Sequence, residues 1–128
     1  MLYLCQKIKE MVLGRGQLNQ VYHIERIDDV VLLLKKIQKL EIGLLIDEEL
    51  EVHGNWVGLS VGKLTEVWLA YILSEGDHRL NRLEAWAKGR KYMLQSFYPD
   101  DDIEDSSFTD DKLELVLDYL DGQGTWKI

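Results

Sequence analysis

The most hydrophobic stretch of the sequence is the apolar run from Val67 to Leu73, in the middle of the chain. Ser60 precedes this run and can accept a hydrogen bond from a free amide of a first helical turn. Gly76 follows it and can take the left-handed conformation that ends a helix. We therefore predict a helix from Ser60 to about Glu75. Because an apolar run of this length covers all sides of two turns, the helix should be the central, buried one.

Two shorter helices are predicted before it. Apolar residues recur at helical spacing from Val30 to Leu40, and either Asp28 or Asp29 can cap the start of that helix. The last half of the helix carries Lys35, Lys36 and Lys39. Lysines there suit the negative end of the helix macrodipole, and phosphate contact is the alternative role.

The second short helix is predicted over Ile42 to Leu50, after which residues 51 to 58 should form a loop. We expect four of its apolar residues to face inward: Leu44, Leu45, Ile46 and Leu50. In the loop, Trp56 and Val57 are expected to tuck against the core.

After the central helix, apolar spacing predicts one long helix from Leu80 to about Phe97, ended by Pro99. Gly89 is a weak point inside it, costing about 1 kcal/mol relative to alanine, so a bend or a close helix contact is an option there. Its inward stripe should contain Leu83, Trp86, Ala87, Met93 or Leu94, and Phe97.

The last predicted helix runs from Asp110 to about Leu120, with Thr109 as its cap and two acidic residues in its first turn. Its expected inward face consists of Leu113, Val116, Leu117 and Leu120. The acidic stretch from Asp100 to Ser107 should be a loop.

The N-terminal part of the chain is less regular. Residues 21–27 are rich in β-branched and aromatic side chains and suit a short extended arm. Residues 1–20 are ambiguous between a weak amphipathic helix and an irregular leader. The predicted fold is all-α, a single compact bundle of about five helices, with or without the extended arm.

The composition describes an ordinary globular protein: 128 residues, of which 46% are hydrophobic and 30% charged. Cys5 stands alone, so an internal disulfide is excluded. No apolar run approaches the roughly 20 residues that cross a bilayer, and Lys7 and Lys9 interrupt a signal-peptide core. We expect a cytoplasmic protein without a membrane partner.

The net charge of -8 is unevenly distributed. Residues 99–128 hold 10 acidic and 2 basic side chains, which accounts for most of the acidity. Such a balance disfavours non-specific wrapping of nucleic acid. A local basic face nevertheless remains, formed by Arg79, Arg82, Lys88, Arg90 and Lys91.

No catalytic or metal-binding motif emerges from residue spacing. The three histidines, His23, His53 and His78, are far apart, and the acidic residues 100–105 lack the glycine and distal glutamate of a calcium loop. Asp110 and Asp111 are neighbours on a helix and point about 100° apart, so capping electrostatics explains them. His78, between Asp77 and Arg79, either orients the turn or meets a ligand.

Three motifs in order resemble a known family. They are GLSVGKLTEVWLAYILSEGDHRLNRLEAW at 58–86, SSFTDDKLELVLDYL at 106–120 and the closing Trp126, preceded by IERIDDVVLLLKKIQKLEIGLLIDEEL at 24–50. Together they resemble the N-terminal domain of bacterial insertion-sequence transposases that have a DDE-type catalytic core. The resemblance covers about residues 21–128 and leaves 1–20 as an extension outside it.

The resemblance implies a part in DNA transposition, but not catalysis by this chain. In the family the first catalytic aspartate follows the region matched here, so no carboxylate of this sequence is assigned a catalytic role. The family's divalent metal ions belong to that missing core, where they assist phosphoryl transfer, and we expect no cofactor in this chain. The expectation is a non-catalytic transposase fragment.

Two functions remain open at this point. The domain could bind the terminal-repeat DNA of the transposon through a tentative set of seven polar and basic side chains, namely His78, Arg79, Asn81, Arg82, Lys88, Arg90 and Lys91. Alternatively, it could be a protein assembly module that dimerises or packs on full-length transposase, or a truncated regulator that inhibits transposition. The apolar end from Trp126 to Ile128 favours the second function.

Overall fold

The computed structural model describes residues 24–50 and 56–122, and within these ranges the protein is helical without a strand. Residues 1–20, residues 21–23 of the expected arm, His53 and the apolar end 126–128 lie outside the described residues; Ile24 to Ile27 of the arm are not a strand. The described helices are α1 Val30–Lys39, α2 Ile42–Glu49, α3 Val61–Glu75, α4 Leu80–Lys88, α5 Lys91–Phe97 and α6 Asp110–Asp121, with a 3-10 turn at Asp105–Phe108. The all-α prediction is confirmed for these ranges.

Helix α3 is central, as predicted, and packs against α1, α2, α4 and α6. The Oγ of Ser60 accepts a hydrogen bond from the Lys63 amide at 3.2 Å, and Gly76 ends the helix with a φ of 64°. Val67 and Ala70 are fully buried. Leu73 is 60% exposed, so the apolar run covers the core and also reaches the surface.

Helix α1 buries Val30, Leu34 and Ile37, in agreement with its apolar spacing. Asp29 occupies the capping position, but its carboxylate accepts no bond from the helix amides. It accepts instead from the Ser74 hydroxyl at 2.6 Å. The predicted side-chain cap is therefore wrong, and the aspartate ties the start of α1 to the end of α3.

The inward face predicted for Ile42 to Leu50 is only partly confirmed: Leu50 is buried and Ile46 packs against the core, but the two leucines of the first turn do not. Leu44 and Leu45 are 54% and 59% exposed, whereas Gly43 is buried. A Cβ at Gly62 of α3 would lie 2.0 Å from the carbonyl oxygen of Gly43, so α2 and α3 touch through their backbones. Once Gly43 faces α3, the next two residues must point outward, since successive helical positions are about 100° apart.

The predicted long helix from Leu80 to Phe97 is two helices, α4 and α5, which meet at Gly89 and Arg90. Both bury the expected stripe, including Leu83, Trp86 and Leu94. The short helix α5 receives its N-terminal cap from far away in sequence. The two carboxylate oxygens of Glu25 accept from the amides of Tyr92 and Met93, each at 2.8 Å.

Helix α6 begins as predicted, because the Thr109 hydroxyl accepts from the Lys112 amide and two aspartates occupy the first turn. Leu113 and Val116 are fully buried, but Leu117 is 37% exposed, so its inward assignment is wrong. Before α6, Trp56 packs edge-on against Tyr119, as expected, whereas Val57 is 77% exposed. None of the described helices has the length and apolarity needed to span a bilayer.

Candidate functional site

The predicted basic face centres on the turn between α3 and α4, where Asp77 organises its neighbours. One oxygen of its carboxylate accepts from the Tyr71 hydroxyl at 2.9 Å and the other from the Arg79 amide at 3.2 Å. The guanidinium groups of Arg79 and Arg82 lie 3.7 Å and 3.8 Å from it. Desolvation favours the neutral acid, but these donors and positive charges outweigh it, so the pKa of Asp77 is below its usual value.

Four of the seven predicted contact residues are together and exposed at the start of α4: His78, Arg79, Asn81 and Arg82. The side chains of Arg79 and Arg82 keep 60% and 61% of their surface accessible to water. Their distances to Asp77 exceed hydrogen-bonding distance, so their guanidinium donors are not consumed by it. This turn can offer cationic donors to an external anion.

Arg90 is placed differently, because its side chain is only 11% exposed. Its guanidinium lies 3.6 Å from Asp28 and 3.9 Å from Glu75, and stacks 4.6 Å from the centre of the Trp86 ring. It also donates to the Trp86 carbonyl at 3.2 Å. Arg90 therefore joins the chain before α1, the end of α3 and the end of α4, a structural role that leaves little of it for a ligand.

Lys88 and Lys91 do not extend the same surface. They border a small cleft with Glu84 and Glu104, and both take part in interactions within the molecule. Arg82 borders a different cleft, beside Trp86. The seven predicted residues thus divide into an exposed group of four, one inward arginine and two lysines elsewhere. We refer to residues 75–91 together with Asp28 as the α3–α5 junction.

A second polar site, which the residue pattern did not predict, is lined by α1, α2, α3 and residues 97–101 at the end of α5. Glu66 is only 6% exposed, accepts a hydrogen bond from the Tyr98 hydroxyl at 3.4 Å, and lines a cavity of about 370 Å³. Burial raises the pKa of Glu66, with a further contribution from Asp47, and the Tyr98 bond and Lys63 only partly oppose it. A Cβ at Gly43 would lie 2.6 Å from this carboxyl group, so any larger residue there would require the Glu66 side chain to shift.

The neighbouring contacts of this cavity are structural ties. Asp47 of α2 accepts from the Ser60 hydroxyl at 2.6 Å and the Gly62 amide at 2.8 Å, which fixes α2 to the start of α3. Lys63 pairs with Asp101 at 2.5 Å. Among the described residues, no group of three or more histidine, cysteine or acidic side chains is placed to hold a metal ion. We interpret the cavity as part of the scaffold that holds α2, because the Asp47 contacts beside it attach α2 to α3.

The outer surface of α1 and α2 forms a third region, the α1–α2 corner, defined by the exposed residues from Leu32 to Glu49. Four leucines are exposed there by more than half: Leu32, Leu40, Leu44 and Leu45. The same segment carries exposed charged residues, namely Lys35, Lys36, Lys39, Glu41, Glu48 and Glu49. Several exposed leucines on neighbouring helices are typical of surfaces that contact another protein.

The sequence and the structure were also compared with known proteins. The chain matches no known protein-family profile, and no curated protein or solved structure is significantly similar to it.

Proposed function

We propose that this chain is a non-catalytic DNA-end-binding or accessory domain of a bacterial insertion-sequence transposase and that it works in the cytoplasm. The transposase assignment is supported by the motif resemblance in residues 24–120. The observation that carries DNA binding is the exposed group at the start of α4, His78, Arg79, Asn81 and Arg82, in a chain that is otherwise acidic.

The start of α4 has the physical properties that phosphate contact requires. Free amides at a helix N-terminus and the positive end of the macrodipole favour an anion. The two exposed arginines add charge and donors, and Asp77 holds both within 4 Å of its carboxylate, which positions them on one side of the turn. Asn81 adds a side-chain amide, a group that can pair with base edges.

The test is binding of the full chain to a labelled duplex taken from the inverted repeats that flank its gene, with a scrambled duplex of the same composition as reference. Arg79→Gln with Arg82→Gln should weaken binding about tenfold or more and flatten its salt dependence, because each lost phosphate contact lowers the slope of log affinity against log salt. Lys35→Gln with Lys39→Gln removes the same charge from α1 and is the matched comparison, because an equal loss of binding there would assign the phosphate contact to the lysines of α1 and not to the start of α4. Equal binding of both duplexes by the unmodified chain at about 50 mM salt would remove this function.

Association with another protein is the second candidate function, and the α1–α2 corner favours it. Its four leucines are 54–73% exposed. The same helices also carry polar residues that form a solvated face, so solvation alone does not explain leucines at these exposed positions. A domain of this kind could join transposase subunits or inhibit the intact enzyme. Sedimentation of the chain alone and mixed with a transposase that carries the same domain tests it, and a clean monomer in both cases would exclude it.

A further inference from the structure

The charges of the α1–α2 corner are separated by sign. All three charged residues of α1 are lysines, at positions 35, 36 and 39. The exposed charges that begin and end α2 are all glutamates, at positions 41, 48 and 49. None of these six side chains forms an ion pair with another described residue. One half of the corner is therefore basic and the other acidic, and neither half is neutralised by contacts within the described part of the molecule.

Exposed leucines lie where the two halves meet. Leu40 ends α1, and Leu44 and Leu45 form the first turn of α2, with exposures of 59%, 54% and 59%. Leu44 lies one turn before Glu48, and Leu45 one turn before Glu49, so each leucine shares a stripe with a glutamate. On α1, Leu32 lies one turn before Lys36 in the same way, at 73% exposure.

We propose that the α1–α2 corner pairs with the α1–α2 corner of a second copy of this chain, with α1 of each copy against α2 of the other. In a two-fold interface the same patch meets itself, so a patch with one basic and one acidic half is complementary when the halves cross. The lysines of each copy then face the partner's glutamates, and the central leucines are removed from water. Pairing α1 with α1, or α2 with α2, would place like charges together, which disfavours those arrangements.

This pairing rests on the second candidate function, association with a protein, and identifies the partner as a second copy of the chain. It does not depend on DNA binding, because the exposed residues at the start of α4 are not part of the corner. The net charge of -8 opposes any dimer in general. Local pairing of opposite charges at short range must therefore supply the specificity, since at about 0.15 M salt interactions beyond roughly 8 Å are screened.

Reciprocal charge exchange tests the crossed arrangement. One variant carries Lys35→Glu with Lys36→Glu and the other carries Glu48→Lys with Glu49→Lys, and sedimentation of the full chain measures dimerisation across about 1–100 µM. Each variant alone should dimerise about tenfold more weakly than the unmodified chain, because like charges then face each other twice in the dimer. An equal mixture of the two variants should recover dimerisation, because their altered helices are complementary.

Several outcomes would overturn the proposal. The unmodified chain could remain monomeric over the whole concentration range. The two variants could each dimerise as strongly as the unmodified chain, or their mixture could stay monomeric. Circular dichroism tests whether both variants are folded. Glu114→Lys with Asp118→Lys, exposed on α6, changes the net charge in the same direction and by the same amount as Glu48→Lys with Glu49→Lys, and is the control for that variant. If the unmodified chain is monomeric but binds a transposase that carries the domain, self-pairing is overturned and association with a protein stands. The duplex assay of the α4 variants reports on DNA binding separately.

Discussion

The α1–α2 corner and the α3–α5 junction are both rich in charged side chains, but they use them in opposite ways. At the junction, Asp77 lies within 4 Å of two arginines, and Arg90 is nearly enclosed by Asp28, Glu75 and Trp86. At the corner, lysines and glutamates are on separate helices and make no ion pairs within the described residues. Because the charges of the junction are largely paired within the described part of the molecule and those of the corner are not, the junction is mainly a structural centre. Its one exposed edge is the start of α4.

The largest expected effect is on stability at the junction. Trp86 is 8% exposed, meets Tyr71 edge-on at 5.3 Å between ring centres, and donates from its indole N–H to Glu75 at 3.1 Å. Trp86→Ala should lower the free energy of unfolding by about 3–5 kcal/mol, measured by urea denaturation, because it leaves a cavity and frees Arg90 from its stack. Leu44→Ala, at the exposed corner, is the comparison and should cost about 0.5 kcal/mol or less. Equal losses would show that the two regions do not differ in this way.

A smaller loss is expected where the corner is attached to the rest of the protein. Gly62→Ala would place a methyl group 2.0 Å from the Gly43 carbonyl oxygen and 2.7 Å from the Asp47 carboxyl carbon. Because a backbone atom cannot yield as a flexible side chain can, α2 must move away, at a cost of about 1–3 kcal/mol. Thermal unfolding measures this loss, and Gly89→Ala is the control, since a Cβ there meets nothing closer than 3.6 Å.

If the two regions are independent, Gly62→Ala should weaken self-pairing and leave DNA binding by α4 unchanged. A loss of DNA binding with the fold intact would show instead that the start of α4 depends on the position of α2.

The subtlest difference concerns pH, because Glu66, buried on α3 where α2 packs, and Asp77, at the junction, have pKa values that shift in opposite directions. The pKa of Glu66 is raised, so the folded protein holds its proton more tightly than the unfolded chain does, and stability falls as pH rises above about 4.5 through the folded value. Glu66→Gln removes that ionisation and should flatten this fall, leaving a protein at neutral pH at least as stable as the unmodified one. Urea denaturation between about pH 4 and pH 8 measures the effect.

Asp77 should show the reverse dependence. Its pKa is lowered, so its contribution is present above about pH 3.8 and is lost as pH falls through the folded value. Asp77→Asn should therefore lower stability at neutral pH and converge with the unmodified protein in acid. If the two substitutions changed the pH dependence in the same direction, the contrast between the carboxyl groups would be wrong.

The sequence predicts the described fold best where the signals are local. Ser60 and Thr109 accept from amides of their own first turns, and Gly76 takes the left-handed conformation that ends α3, so these boundaries of α3 and α6 follow from short-range chemistry. The break at Gly89 appears in the pattern only as a weak point, because apolar spacing continues in register on both sides of it. The helices on either side bury the same predicted stripe, so packing keeps that stripe inward while the backbone turns.

The failures are at contacts between distant residues. Leu44 and Leu45 look like core residues until Gly43 is seen to face Gly62, a contact that no local pattern contains. Arg90 looks like a surface cation until Asp28 and Glu75 approach it from two other segments. Glu66 follows one turn after Gly62 on the same face of α3, so its burial depends on the same helix crossing and no local pattern contains it either.

The cap that Glu25 supplies to α5 has a consequence for how the molecule forms. Helix α5 has seven residues, too few to persist alone in water, and the carboxylate that satisfies its first amides is 67 residues earlier in the chain. During synthesis the segment that contains Glu25 is therefore made well before α5, and the cap can form only after both are present. Hydrogen exchange at the amides of Tyr92 and Met93 would report the moment when the segment before α1 closes on α5.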